Sequence, residues 1–248
     1  MISLYTGTPG SGKSLDLARI IMLKLKMGIN VIGTMYINKD MVKKYKGKYI
    51  FVDIYRLNPQ MLIEYARKYH KKGKEGQCWL VIDECQRIFN SRDWNKADRR
   101  AWNDFFQVHR HFGYNVALIT QYDRLIDRQL RALVEYQYIH RKVSNFGLKG
   151  ALMAMFFRGG LFVSVAEWYP VHEKTGSNFF LYRKKYSRFY DSYMAFDENA
   201  TSDDTCELLA YLKPAEEPAP CVADGGCGGS PRSDTGRNIG RWELTRFT

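Results

Sequence analysis

Cysteine is sparse in this 248-residue chain and carries no pattern: the five, at 78, 85, 206, 221 and 227, form no CxxC pair and no repeated metal-ligand spacing. That excludes a disulfide-stapled secreted domain and a zinc module, and it fits a reducing compartment. Long hydrophobic runs are missing too. Ala151-Leu152-Met153-Ala154-Met155-Phe156-Phe157 stops at Arg158-Gly159-Gly160, and the apolar residues that follow reach only to Ala166, too short and interrupted to span a bilayer. No repeat of roughly 20 to 50 residues is evident, which removes solenoids and propellers. The amino terminus enters an apolar run within two residues, leaving no room for a signal peptide. Acidic residues are scarce until the end. The formal net charge is +12, but five basic against ten acidic residues from Ala195 onward leave −5 there, so residues 1–194 carry +17. Such a field favours anionic partners: nucleic acid, phospholipid headgroups or acidic protein. For a single cluster such as Lys43-Lys44 or Lys71-Lys72, a solvated helix face is the simpler reading.

At 45% hydrophobic, the chain can bury the core of one α/β domain with appendages. Its most informative stretch is Gly7-Thr8-Pro9-Gly10-Ser11-Gly12-Lys13-Ser14, directly behind Ile2-Ser3-Leu4-Tyr5-Thr6. This reads as a Walker A loop. The glycines let the backbone turn tightly and aim N–H groups inward, and the helix that follows adds its positive end to hold phosphates. Lys13 is expected to reach the β and γ oxygens of ATP, and Ser14 to supply a hydroxyl to Mg²⁺, a hard cation that takes oxygen ligands. Downstream, Cys78-Trp79-Leu80-Val81-Ile82-Asp83-Glu84 is an apolar strand ending in two acids. Asp83 suits water-mediated contact with Mg²⁺, and Glu84 suits a general base that polarises the attacking water. Cys78 and Cys85, flanking this strand, read as small apolar fillers.

Strands alternate with helical segments as a mostly parallel sheet flanked by helices requires, which places the chain among the α/β P-loop NTPases. Ser14 to Met27 has a helical apolar period closed by Gly28, and Asn58-Pro59 opens a helix to about His70. Ala97 to His111 reads as a helix stopped by Gly113, and Asn115 to Gln121 as a short strand. Asp123 is placed to cap a helix running through Val134. Beyond Glu135, Tyr136–Val143, Gly160–Trp168 and Phe179–Lys184 look like strands, with Pro170–Asn178 as a hairpin loop. Whether these extend the main sheet or form a small β subdomain stays open. The expected division is a P-loop core over 1–145, a small β-rich C-terminal extension over 146–195, and an acidic, then Pro/Gly-rich, linker or disordered tail over 196–248.

Gln121, at the end of the strand following Walker B, is a candidate sensor of the γ-phosphate. Arg128 and Arg131, ahead of Arg124, are candidates to stabilise transition-state charge in a neighbouring subunit. His109-Arg110-His111 invites a metal reading, but i and i+2 positions on a helix face different ways. No structural metal is expected.

The order of these motifs resembles the filamentous-phage assembly ATPases, also called the zonula occludens toxin family, within the DNA-pumping P-loop motors. The resembling residues run from Ile2 through Ser14, then Leu80-Val81-Ile82-Asp83-Glu84-Cys85-Gln86, then His109-Arg110-His111 leading into Leu118-Ile119-Thr120-Gln121, then Ile126-Asp127 with the arginines after them. The likeness covers residues 1–145 well and 146–195 loosely. The block from His109 to Gln121 is more particular to the family than the P-loop. The resemblance implies an oligomeric ATPase on the cytoplasmic face of the bacterial inner membrane, powering export and assembly of a single-stranded DNA phage with inner-membrane partners. Phage DNA or phage coat and assembly proteins are the implied direct partners. Family members carry a membrane span after the ATPase domain, and no such segment follows residue 195 here. Rival readings are a nucleotide-gated adaptor that barely hydrolyses ATP, a DNA-translocating ATPase unrelated to phage export, and, with less support, a small-molecule kinase.

Overall fold

A computed structural model describes residues 1–91, 98–157, 160–190 and 207–212. Among these residues, eight strands make one sheet in the order β3-β2-β4-β5-β1-β6-β7-β8. They are β1 Ile2–Thr6, β2 Asn30–Gly33, β3 Tyr49–Phe51, β4 Cys78–Ile82, β5 Tyr114–Ile119, β6 Tyr136–Lys142, β7 Leu161–Trp168 and β8 Glu173–Leu181. The first six run parallel; β7 and β8 are antiparallel additions. The helices are α1 Lys13–Lys26, α2 Lys39–Val42, α3 Pro59–Tyr69, α4 Asp98–Val108, α5 Arg128–Ala132, α6 Gly147–Phe156, α7 Lys184–Ser187 and α8 Glu207–Leu212.

Strand parity sends alternate residues to opposite faces, and a different helix layer receives each set. Tyr5, Trp79, Val81, Ala117 and Ile119 meet α1 through Ala18, Ile21, Met22 and Leu25, whose i, i+3, i+4, i+7 spacing is one helical stripe. Leu4, Leu80, Ile82, Val116 and Leu118 meet α3, α4, α5 and α8 on the other face. Leu17, Ile21 and Leu25 are fully buried, each stabilising the fold by about 1.5–3 kcal/mol. The termini of α1 and α3 follow the sequence. Gly28, at φ 82°, ends α1 in the left-handed region, and the Asn58 side chain accepts from Met61 N–H at 3.0 Å with Pro59 in the first turn. Cys78 and Cys85 are buried free thiols, Cys78 pushed up to about 12 by burial.

Three local expectations are corrected. Asp123 does not cap a helix to Val134. Asp123–Leu125 makes a single 3-10 turn, because Ile126 is drawn into a bridge with Asn90 and buried, which interrupts any continuous helix. The cap is Asp127, whose carboxylate accepts from Gln129 N–H at 2.7 Å and pairs with Arg99. Pro170–Asn178 is not a hairpin loop: β8 already starts at Glu173, and the turn is Tyr169–His172, with His172 left-handed at φ 55°. Both faces of most of β8 are polar and exposed, so it shows no alternation to read. The hairpin β7–β8 continues the main sheet through β6, which pairs with β1 on one side and β7 on the other; it is not a separate subdomain. Within the segment assigned to the tail, α8 packs on the body: Leu208 is fully buried, and the Glu207 carboxylate accepts from Phe51 N–H at 3.0 Å. The chain divides into units Met1–Lys213 and Pro214–Thr248. The second lies wholly outside the described residues, as does Cys206.

Candidate functional site

The loop between β1 and α1 closes tightly against its neighbours, and glycine is required where it does so. Gly7, at φ 145°, would place a Cβ 2.5 Å from the His140 carbonyl oxygen and 2.7 Å from Ser11 Oγ; at Gly12, φ 91°, a Cβ would meet the Phe162 ring at 2.8 Å. Gly12 is the N-cap of α1, so no side chain caps that helix. Its first N–H groups, which lack intrahelical acceptors, are left to an external anion. Lys13 folds its amine back over the loop, donating to Gly7 O at 2.6 Å and Thr8 O at 3.2 Å. Burial lowers its pKa, while Glu84 and Asp83 oppose that shift. Lys13 therefore lies within electrostatic reach of both acids.

Asp83 and Glu84 follow β4 directly. The Thr34 hydroxyl, at the end of β2, accepts from Asp83 N–H at 2.8 Å, and Asp83 Oδ1 accepts from Glu84 N–H at 2.9 Å. Glu84 sits in the left-handed region at φ 48°, uncommon for a residue with a Cβ. Its backbone oxygen accepts from Arg87 N–H at 2.9 Å, and its carboxylate accepts from the Gln86 amide. The burial of Asp83 raises its carboxyl to about 6, an effect Glu84's charge adds to and Lys13 and Arg87 moderate.

That shift has a consequence for stability. Because the folded-state pKa of about 6 lies above the ordinary 3.8, ionising Asp83 costs stability, a penalty absent below the ordinary value and complete above the raised one. Asp83→Asn is expected to melt with the wild type near pH 4 and above it past neutrality in metal-free buffer, by on the order of 2 kcal/mol. Melting curves showing no pH dependence of that difference would remove the burial argument.

Between β4 and β1 runs β5, Tyr114–Ile119, so Gln121, two residues past its end, follows a strand that ends between the two halves of the site. The Gln121 backbone oxygen accepts from Gly7 N–H at 3.3 Å, while the residue itself is exposed. The helical arginines are not brought together with the loop. Arg128 is exposed on α5, and Arg131 is half-buried on the same helix, its Nε buried with no hydrogen-bond partner among the described residues. His109 holds its ring between the Phe106 carbonyl at 2.6 Å and the terminal amine of Met1 at 3.0 Å. Among the described residues no three His, Cys, Asp or Glu side chains gather as a metal cluster.

Sequence reasoning missed a buried polar cluster under the loop. Asp16 Oδ2 meets His140 Nε2 at 3.0 Å, and Arg19 donates to Asp16 Oδ1 at 2.7 Å. Burial acts to raise the Asp16 carboxyl, but the bonds from His140 and Arg19 outweigh it and hold it low. Asp16 reads in sequence only as an acid in the first turn of a helix, and His140 only as one position of an alternating strand. Their meeting across 124 residues has no local signal.

A family model described as "Zonular occludens toxin (Zot)" matches residues 1–194. This chain belongs to the Zot family. Among its relatives, the Gene 1 protein of Enterobacteria phage M13 is 29% identical over 142 residues, covering 54% of this chain and 41% of that protein. The chain thus spans less than half the length of that relative. Among solved structures, the N-terminal domain of zonular occludens toxin from Neisseria meningitidis covers 77% of this chain and 98% of its own, at 20% identity and TM-score 0.48. Another solved structure, an ATPase domain, aligns at TM-score 0.51 and 8% identity, over 76% of this chain and 83% of that one, a likeness of fold alone. The fold this Zot-family chain shares with that ATPase domain is the mixed, helix-flanked sheet described above.

Proposed function

We propose that this Zot-family chain binds ATP with Mg²⁺ between Gly7 and Ser14 and hydrolyses it to drive assembly and export of a filamentous single-stranded DNA phage. The proposed place of work is the cytoplasmic face of the bacterial inner membrane. The observation that carries the reading is that the loop after β1, ending in Lys13 and an uncapped helix start, and the acids Asp83 and Glu84 after β4 lie at the same edge of the sheet, one parallel strand apart. These residues fit the nucleotide: the Gly7 and Gly12 cradle leaves no room for a Cβ, Lys13 supplies a cation, and Ser14 and Asp83 supply hard oxygen donors. Asp83, at about 6, is ionised at neutral pH, as a metal ligand must be. Bound Mg²⁺ would neutralise charge on the phosphates.

Thr8, Pro9, Gly10 and Ser11 complete the phosphate cradle in this proposal. Lys13 moves from the loop carbonyls to the phosphates, and Glu84, held in a conformation its neighbours enforce, polarises the attacking water. Gln121, at the strand end between the two halves, is proposed as the sensor. Of the two arginines, Arg128 is the better candidate to act in trans, since it is exposed while Arg131 is half-buried. The proposed assembly is a homo-oligomer whose basic body, +17 over residues 1–194, meets phage DNA or acidic coat and assembly proteins. Native mass measurement of the whole chain tests this: a ring is expected to form on addition of Mg-ATP. A chain that stays monomeric with nucleotide and releases no phosphate would overturn the motor reading.

A further inference from the structure

At the end of the sheet that carries the P-loop, α6 stands out from the body with its apolar side chains in water. Ile139 pairs with Thr6 and Lys142 with Phe162, which fixes the end of β6 and the start of β7 beside the loop, and α6 connects the two. Among its residues with a described side chain, only Gly150 is buried, packed so closely on the Val143 carbonyl that a Cβ would collide with it. Leu148 is 80% exposed and Phe156 83%, with Leu152, Met153 and Met155 also in water. A soluble surface rarely presents so continuous an apolar patch without a partner.

The charge around this tip has one sign. The sequence contains no Asp or Glu from Arg141 to Ala166, and none from Lys174 to Tyr190. The second of these stretches is at the same end: Leu181 pairs with Leu161, Tyr182 N–H donates to Gly160 O at 2.7 Å, and Arg183, Lys184 and Lys185 follow, all exposed. We infer that α6 docks on the surface of an anionic phospholipid bilayer, its Leu, Met and Phe side chains among the acyl chains and Lys149 with the Arg183–Lys185 group among the headgroup phosphates. The helix cannot cross: ten residues rise about 15 Å, half of a hydrocarbon core of about 30 Å, and no described helix is long and apolar enough to span. It would therefore lie in the interface, its apolar side chains toward the acyl chains and the flanking lysines and arginines at the anionic headgroups. A two-fold pairing with a second copy would set like charges against like. Single-stranded nucleic acid would find few stacking platforms: of Leu148, Leu152, Met153, Met155 and Phe156, only Phe156 offers an aromatic face.

The inference stands apart from the nucleotide chemistry. The full chain is expected to float with phosphatidylcholine vesicles containing phosphatidylglycerol, to stay behind with phosphatidylcholine alone, and to be released from the anionic vesicles as salt is raised. The double variant Leu148→Ser, Phe156→Ser is expected to partition at least tenfold less while melting as the wild type does, since both side chains are already in solvent. Equal flotation of variant and wild type, or no flotation of the wild type, overturns the inference. So does a wild-type oligomer that the double variant converts to a monomer without any vesicle binding, which would assign the face to a second copy.

Discussion

Glu84→Gln is expected to bind ATP as the wild type does and to release phosphate roughly 10²- to 10⁴-fold more slowly. The amide keeps the volume and hydrogen-bonding reach of the carboxylate but cannot accept a proton from water at neutral pH. Binding should survive because the contacts assigned to the nucleotide belong to the loop, Lys13 and the start of α1, none of which the substitution alters. The backbone should survive too. The left-handed turn at Glu84 is held by Glu84 N–H to Asp83 Oδ1 at 2.9 Å and by Arg87 N–H to Glu84 O at 2.9 Å, neither of which involves the substituted atoms. Gln86, which donates to the Glu84 carboxylate, can donate equally to the Gln carbonyl. Phosphate release measured beside nucleotide titration decides it, and equal turnover by the two proteins would take the base role away from Glu84.

Lys13→Ala is expected to weaken nucleotide binding by roughly 10²- to 10³-fold, the loss that follows when one partner of a buried, hydrogen-bonded charge pair is removed. The lysine is buried at the first position of α1, and desolvation disfavours its charge; Asp83 and Glu84 keep it usable. In the free protein its amine donates to Gly7 O and Thr8 O, partners available to water once the side chain is gone. Folding should therefore change little while affinity collapses, and a melting curve run beside the titration separates the two. Wild-type affinity in a well-folded Lys13→Ala protein would show that phosphates bind somewhere other than this loop.

Much of the candidate site was legible because the residues proposed for it fall in local runs. The glycines of the P-loop, the lysine and hydroxyl at its end, and the acids closing an apolar strand are each a short run whose residue types a phosphate, a metal or a water requires. The same holds for Gly28 and Asn58-Pro59, where a helix end depends on the conformation or side chain of a neighbouring residue. Asp123 misled for a matching reason: it is a good local cap, but Ile126 is pulled away by Asn90, 36 positions earlier. The first part of β8, Glu173 to Asn178, was read as loop because its exposed polar residues lack the alternation that burial imposes, and α8 was missed because six residues after an acidic stretch show nothing of the surface they cover.

By itself the sequence determined a glycine-built turn from a strand into a helix, an acid-ended strand, an α/β alternation and a basic body, since each follows from contacts among residues a few positions apart or from composition. Only the tertiary structure decided that β5 runs between the two motif strands, that β7 and β8 extend the same sheet, that Asp16 meets His140 beneath the loop, and that the other described residues leave α6 exposed. Those outcomes depend on which distant surfaces exclude water from one another, a property of pairs of segments that neither segment carries alone.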